Sequence, residues 1–218
     1  MTRPTARFAI LLGGDLVATP RLARQLEGAR VIAADSGMKH AAALGLVPEL
    51  WTGDFDSVDE DLRRAHAQVP TEIFPPEKDQ TDGEIAVEAA LARGAGELVL
   101  VGAFGGARAD HAFLHLAAGL RLAEAGMPCL LTSGYQEGAP LLPGISRFDY
   151  DAGTLFSVLA FSDLAGLTLT GAKWPLLDHA VPFGSSLTLS NEVAGDLSVR
   201  LGAGRAMLVA QPVSYFRM

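Results

Sequence analysis

The chain is short of cysteine. Cys129 is the only one in 218 residues, which excludes an internal disulfide and any Cys-rich zinc site. It also lacks a cluster of lysine or arginine, and its formal net charge is −8. A surface of that sign repels a nucleic-acid backbone, so small molecules are the expected partners. The acidity suits a cationic ligand, or phosphates bridged by a metal ion. No apolar stretch reaches membrane-spanning length. No secretory leader is visible either, because the first apolar run is cut off at Gly13-Gly14-Asp15. A cytoplasmic protein is the expectation. What the chain does have is hydrophobic residues, 49% against 19% charged, enough for a proper core. Its length suits one large or two small domains.

Up to about residue 133, short β-like runs alternate with helical patterns. Residues 8–12, 30–33, 50–52, 71–74, 97–101 and 128–131 read as strands; 21–27, 38–44, 59–67, 81–93 and 109–125 read as helices. Strands separated by helices of this length imply right-handed crossovers and a mostly parallel sheet covered on both faces, a three-layer α/β domain. After Ser133-Gly134 helical periodicity disappears. Glycine, proline, serine and threonine then punctuate β runs at 155–161, 166–170, 186–190, 197–201 and 206–210. That spacing predicts a smaller all-β sandwich or partial barrel. The expected domains are therefore 1–133 and 134–218.

Ligands of such parallel sheets bind at the carboxyl ends of the strands. Polar residues collect at those ends: Asp15, Asp35, Asp54 and Asp56, then Lys78, Asp79 and Asp82, then Arg108, Asp110 and His111. Gly53-Asp54-Phe55-Asp56-Ser57 follows an apolar run. If that turn stays extended, Asp54 and Asp56 share a face. Like charges so close repel unless a cation sits between them. Mg²⁺, which takes one or two carboxylates and leaves room for water and phosphate, is the simple solution. An ordinary acidic turn, with Asp56 or Ser57 capping the next helix, is the alternative.

Lys78-Asp79-Gln80-Thr81-Asp82-Gly83-Glu84 enters a helix, and Thr81 with Glu84 makes a capping box. Lys78 in front could hold a phosphate as a point charge, and Asp79 or Asp82 could complete a metal shell. The glycines of Gly102 to Gly106 let backbone N–H groups approach phosphates at a helix N-terminus. No Gly-Lys-Ser/Thr follows, and the spacing is not that of a dinucleotide fingerprint. Arg108 suits a bidentate grip on phosphate. His111 belongs with Asp110 at the site, whereas His115 is expected in the core or at its rim. Asp35 is either a helix cap or a ligand. In the second domain Trp174 is either a core residue or a flat platform for an aromatic or cationic ring.

Taken in order, Asp35-x-Gly37, Gly53-Asp-Phe-Asp-Ser57, Lys78-Asp-x-Thr-Asp82, Gly105-Gly106…Arg108-x-Asp110-His111, Gly171-x-x-Trp174-Pro-Leu176 and Ser190-Asn191-Glu192 resemble the thiamin pyrophosphokinase family. The resemblance spans most of the chain, with one extra residue, Ala107, in the Gly-Gly-Arg-x-Asp-His run. It implies a Mg²⁺-dependent homodimer that converts ATP and thiamin to AMP and thiamin diphosphate. It further implies Asp54, Asp56 and Asp82, with Asp79, around the metal, and Lys78 and Arg108 on the phosphates. Thr81 would line the nucleotide pocket, and Asp35, Asp110 and His111 would line it or orient the attacking hydroxyl. Trp174 would stack on thiamin, with Ser190 and Asn191 as polar contacts. Competing readings are a Mg²⁺-dependent phosphohydrolase, a diphosphokinase for another small alcohol such as a pterin, and a nucleotide sensor without turnover.

Overall fold

A computed structural model of the chain describes residues 6–56, 58–74 and 79–212. Lys78 and Ser57 lie outside the described residues. The chain divides into two compact units, with breaks after Ala118, Gly126 and Gly134.

The first unit holds strands β1 (Ala6–Leu11), β2 (Arg30–Ala34), β3 (Leu50–Gly53), β4 (Thr71–Ile73), β5 (Ala95–Val101) and β6 (Cys129–Thr132). Every pairing among them is parallel, in the order β4-β3-β2-β1-β5-β6. The last four residues of both β1 and β5 are buried without alternation, as strands covered on both faces must be. The helices are α1 (Pro20–Gln25), α2 (Lys39–Leu44), α3 (Glu60–Ala65), α4 (Asp82–Ala92) and the first part of α5 (Ala109–Glu124), which from Gly119 onward groups with the second unit. Pro20 opens α1, where its missing N–H costs nothing, and the Thr19 hydroxyl caps it by accepting from the Leu22 N–H. One core cluster joins Ala9, Leu11, Leu22, Met38, Trp51, Phe55, Val99 and Val101.

The second unit is antiparallel throughout. Its strands are β7 (Glu137–Leu141), β8 (Gly144–Phe148), β9 (Leu155–Ala160), β10 (Leu164–Ala172), β11 (Leu176–Val181), β12 (Asn191–Leu201) and β13 (Ala206–Gln211). The long β12 pairs with β9 through Asn191 and Glu192, with β10 along its middle, and with β8 through its last five residues. A strand that changes partners in this way turns a corner between two sheet segments. β13 lies between β7 and β9, and β11 pairs with β10. Phe156, Val158, Leu167, Leu169, Val199 and Leu208 belong to the core they enclose.

Several elements differ from the sequence expectation. Residues 186–190, expected as a strand, form turns, with Ser185 N–H donating to Pro182 O and Leu189 N–H to Ser186 O. Leu187 and Leu189 are exposed there, so the apolar run that suggested a strand buries little. β7, β8 and β11 were not anticipated. Pro140 sits within β7, Pro143-Gly144 breaks the run into β8, and β11 has four consecutive exposed residues.

Candidate active site

The chain reverses its direction of travel across the parallel sheet at β1. β2, β3 and β4 are added on one side, then β5 and β6 on the other. Beyond the carboxyl ends of β1 and β5, such a reversal opens a crevice that no crossover fills. A cavity of about 630 Å³ lies there. It is lined by Gly13 to Asp15 after β1, by Asp35, Ser36 and Lys39 after β2, and by Asp54 and Asp56 after β3. Thr81 to Gly83 at the start of α4, and Gly105 to Arg108 with His111 and His115 at the start of α5, complete the wall.

Each acidic side chain reaches this cavity for a local reason. The turn after β3 is not extended, because Phe55 has φ +63° and the Asp56 N–H donates to Asp54 Oδ1 at 3.1 Å. Asp54 and Asp56 therefore reach the cavity through a left-handed turn, not through strand alternation. An aromatic residue in that region costs about 1–2 kcal/mol. Burial of the Phe55 ring offsets this: it meets Trp51 edge-on at 4.9 Å, and the Arg63 guanidinium lies 5.3 Å from its centre. Arg63 also donates to the Phe55 carbonyl. The helix that follows is capped by Asp59, whose Oδ1 accepts from the Leu62 N–H at 2.7 Å. Asp56 is thus not spent as the cap.

Asp35 does not cap a helix either. The short 3₁₀ turn Asp35–Met38 and α2 behind it have no side-chain cap bond. Asp35 has φ +43°, and its carbonyl accepts from the buried Trp51 indole at 2.8 Å. Gly37 lets this turn lie against β1, since a Cβ there would stand 2.1 Å from the Leu11 carbonyl oxygen. Thr81 and Glu84 make the expected capping box, which puts Asp82 in the first turn of α4.

The floor is tied together across β1 and β5. Gly14 N–H donates to Gly102 O at 3.0 Å, and Asp15 N–H to Phe104 O at 2.8 Å. Gly105, at φ +64°, lies so close under Asp15 that a Cβ would overlap its carboxylate at 2.1 Å. Two histidines hold the carbonyls of these loops: His40 Nε2–H donates to Gly14 O at 3.0 Å and His115 Nδ1–H to Ala103 O at 3.1 Å. Burial pushes both imidazoles below their usual pKa of 6.5 and favours the neutral form. His115 is thus a partly buried rim residue with a structural bond.

Arg108 faces the cavity and is gripped by Asp110 in a two-point pair, Nε to Oδ1 at 3.0 Å and Nη2 to Oδ2 at 2.7 Å. The hydrogen bonds from Arg108 hold the Asp110 carboxyl well below the usual carboxylate range. Asp110 and Asp79 do not line the cavity. Asp35, Asp54, Asp56, Asp82 and Arg108 do. So does Lys39, which sequence reasoning missed although it stands four residues after Asp35; its ammonium donates to Gly13 O at 2.7 Å.

In the second unit Trp174 is 56% exposed, so it is not a core residue. The Lys173 ammonium sits 5.0 Å from its ring centre and is tied to Glu192 at 3.0 Å. Asn191, only 5% exposed, spends its amide on the backbone of Trp174, accepting from its N–H at 3.2 Å and donating to its carbonyl at 2.8 Å. Ser190 precedes it at φ +57°, with its N–H on Ser157 Oγ at 3.0 Å.

Comparison with known proteins decides the family. Residues 24–131 match the model of the thiamin pyrophosphokinase catalytic domain, and residues 146–205 that of the thiamin pyrophosphokinase vitamin B1 binding domain. The thiamine pyrophosphokinase of Bacillus subtilis (strain 168) is 31% identical over 166 residues, 74% of this chain and 77% of that protein. The chain belongs to the thiamin pyrophosphokinase family. Its fold agrees. The crystal structure of the Bacillus subtilis enzyme superposes with a TM-score of 0.80 at 28% identity, covering 94% of this chain and 98% of that one. The thiamin pyrophosphokinase of Geobacillus thermodenitrificans gives 0.78 at 29% identity, over 96% and 99%.

The catalytic match includes Asp35, Asp54, Asp56, Asp82 and Arg108, and the B1-binding match includes Trp174, Ser190 and Asn191. Among the described residues, no three histidine, cysteine or acidic side chains stand as a ready-made metal cage. The donors that line the cavity are mostly hard carboxylate oxygens, with the imidazoles of His111 and His115 beside them and no thiolate. That chemistry fits a divalent ion such as Mg²⁺, held by one or two carboxylates and completed by water and phosphate oxygens.

Proposed function

We propose that the chain is a thiamin diphosphokinase, transferring the diphosphoryl group of ATP to the hydroxyl of thiamin. The observation that carries this reading is the convergence of Asp35, Asp54, Asp56 and Asp82 on one cavity at the sheet's reversal point, in a chain of this family. The bond that forms joins the thiamin oxygen to the β-phosphorus; the bonds that break are the one from that phosphorus to the oxygen leaving with AMP and the hydroxyl O–H, whose proton passes to solvent. Little covalent work falls to the protein, so its contribution is positioning and neutralisation of charge. Mg²⁺, when bound, neutralises phosphate charge. Asp54, Asp56 and Asp82 would hold it, with Asp79 near enough in sequence to join. Arg108, and Lys78 outside the described residues, would take the phosphate oxygens. Asp35, Thr81 and His111 would wall the nucleotide, while Asp110 acts through Arg108.

Trp174 would stack on the rings of thiamin, where an exposed face beside fixed backbone is what a flat cation needs. Asn191 then works by fixing the Trp174 loop, and Ser190 by the strained backbone in front of it. A three-layer first domain (1–133), a sandwich-like thiamin-binding domain (134–218), a homodimer and a cytoplasmic setting complete the reading. No helix of the described residues is long and apolar enough to cross a membrane.

The test is turnover of the Asp56→Asn variant in an assay that reads AMP and thiamin diphosphate together. Loss of both products with an unchanged melting temperature supports the reading. Full activity would remove Asp56 from the metal site. Steady AMP release from the wild type without thiamin would favour a phosphohydrolase instead.

A further inference from the structure

The cavity is lopsided in charge. Asp15, Asp35, Asp54, Asp56 and Asp82 line it, and among the described residues its lysines and arginines are Lys39 and Arg108. Arg108 is already engaged with Asp110 at two points. Lys39 is bonded differently: its ammonium donates to a neutral backbone carbonyl, Gly13 O, at 2.7 Å, and the bond is solvent-exposed.

We propose that Lys39 is a nucleotide-binding residue, parked on the Gly13 carbonyl until a phosphate oxygen of the nucleoside triphosphate replaces it. An ammonium has three donors, so a phosphate oxygen can be engaged before the bond to Gly13 is given up. Trading a neutral acceptor for an anionic one is favourable, because charge-assisted bonds are roughly twice as strong. Little desolvation is added, since the group is exposed already. Position argues the same way. Gly13 stands at the end of β1, beside the reversal point where the sheet's topology opens the crevice. The 3₁₀ turn keeps Lys39 there: Gly13 lies so close to Ser36 that a Cβ would meet its hydroxyl at 2.6 Å. This inference rests on the proposed reading of the cavity as a nucleotide site.

The alternative role is a strap that merely fastens the β1 loop to α2, and two substitutions separate the two. Lys39→Gln keeps a donor for Gly13 O and loses the charge, whereas Lys39→Arg keeps the charge. Calorimetric titration with Mg·ATP, together with melting curves and the KM for thiamin, reads the difference. The expected result for Lys39→Gln is ATP affinity down roughly tenfold or more. Its melting temperature and thiamin KM should be unchanged, and the salt dependence of ATP binding weaker. Lys39→Arg should restore most of the affinity. Wild-type ATP affinity in Lys39→Gln overturns the proposal, as does a loss that Lys39→Arg fails to restore. If the wild type itself neither binds ATP nor forms AMP with thiamin, the reading of the cavity fails and takes this inference with it.

Discussion

In the parallel unit every strand ends at the same edge, so the loops after β1, β2, β3 and β5 all open onto one cavity. In the antiparallel unit neighbouring strands end at opposite edges, and no such collection of loops is available. Its chemistry is instead a local feature. One exposed ring, Trp174, is presented between β10 and β11 and held from β12 by the amide of Asn191. A site assembled from many strand ends depends on charge gathered from distant parts of the sequence. A site built on one loop depends on the rigidity of two or three neighbours. The first should therefore fail completely when a central charge is lost, and the second by degrees.

The largest expected effect is that of Asp56→Asn, which should lower kcat by at least about a hundredfold with the fold intact. A drop of only a few-fold would mean that the cavity is less cooperative than its geometry implies. Next comes Gly37→Ala, where the added Cβ would stand 2.1 Å from the Leu11 carbonyl. Backbone atoms on both sides have to move, at a cost of about 3 kcal/mol, or roughly 6–12 °C in Tm for a chain of this size. Gly195→Ala in β12 is the matched control, since nothing stands within 4 Å of its Cβ. Equal melting temperatures for the two variants would contradict the close contact between the 3₁₀ turn and β1.

The two units were also unequally legible in the sequence. β1, β2, β3 and β5 were visible because buried parallel strands are short apolar runs closed by Gly or Asp. The same closing residues marked the cavity. The backbone of the Asp54–Asp56 turn was not legible: its left-handed Phe55 depends on a ring slot made by Trp51 and Arg63, which no local pattern reveals. Lys39 was hidden for a similar reason, since only the fold brings it to Gly13. In the second unit β7 and β11 lack clear alternation; β7 pairs with β13, far along the chain, while β11 folds back on β10 with four consecutive exposed residues. The apolar residues of 186–190 misled because Leu187 and Leu189 stay exposed. Trp174 could be singled out by sequence, but only the fold decided between core and surface.

Trp174→Ala tests the local character of the second site. Losing a stacking and cation–π face should raise the thiamin KM by roughly tenfold. ATP affinity should stay put, and because the ring is 56% exposed the Tm should barely move. Trp174→Phe should recover most of the loss. A large fall in Tm would recast the tryptophan as a packing residue of the antiparallel unit.

The smallest effect expected is a pH dependence that belongs to the parallel unit, through His115. Burial lowers its pKa below the usual 6.5, with His111 nearby adding a smaller push in the same direction, while its bond to Ala103 O opposes them. The folded state therefore binds fewer protons than the unfolded one in the window from 6.5 down to the lowered value. Stability is full above 6.5 and falls as pH drops through that window, by at most about 1.4 kcal/mol per pH unit for one such group. His40, shifted the same way by burial, adds to the slope. Melting curves between pH 7.5 and 5.5 read the sum. Replacing His115 with Gln, which can still donate to Ala103 O but cannot titrate, should flatten the slope by His115's share. An unchanged slope in that variant would mean that His115 is as easily protonated in the fold as in the unfolded chain.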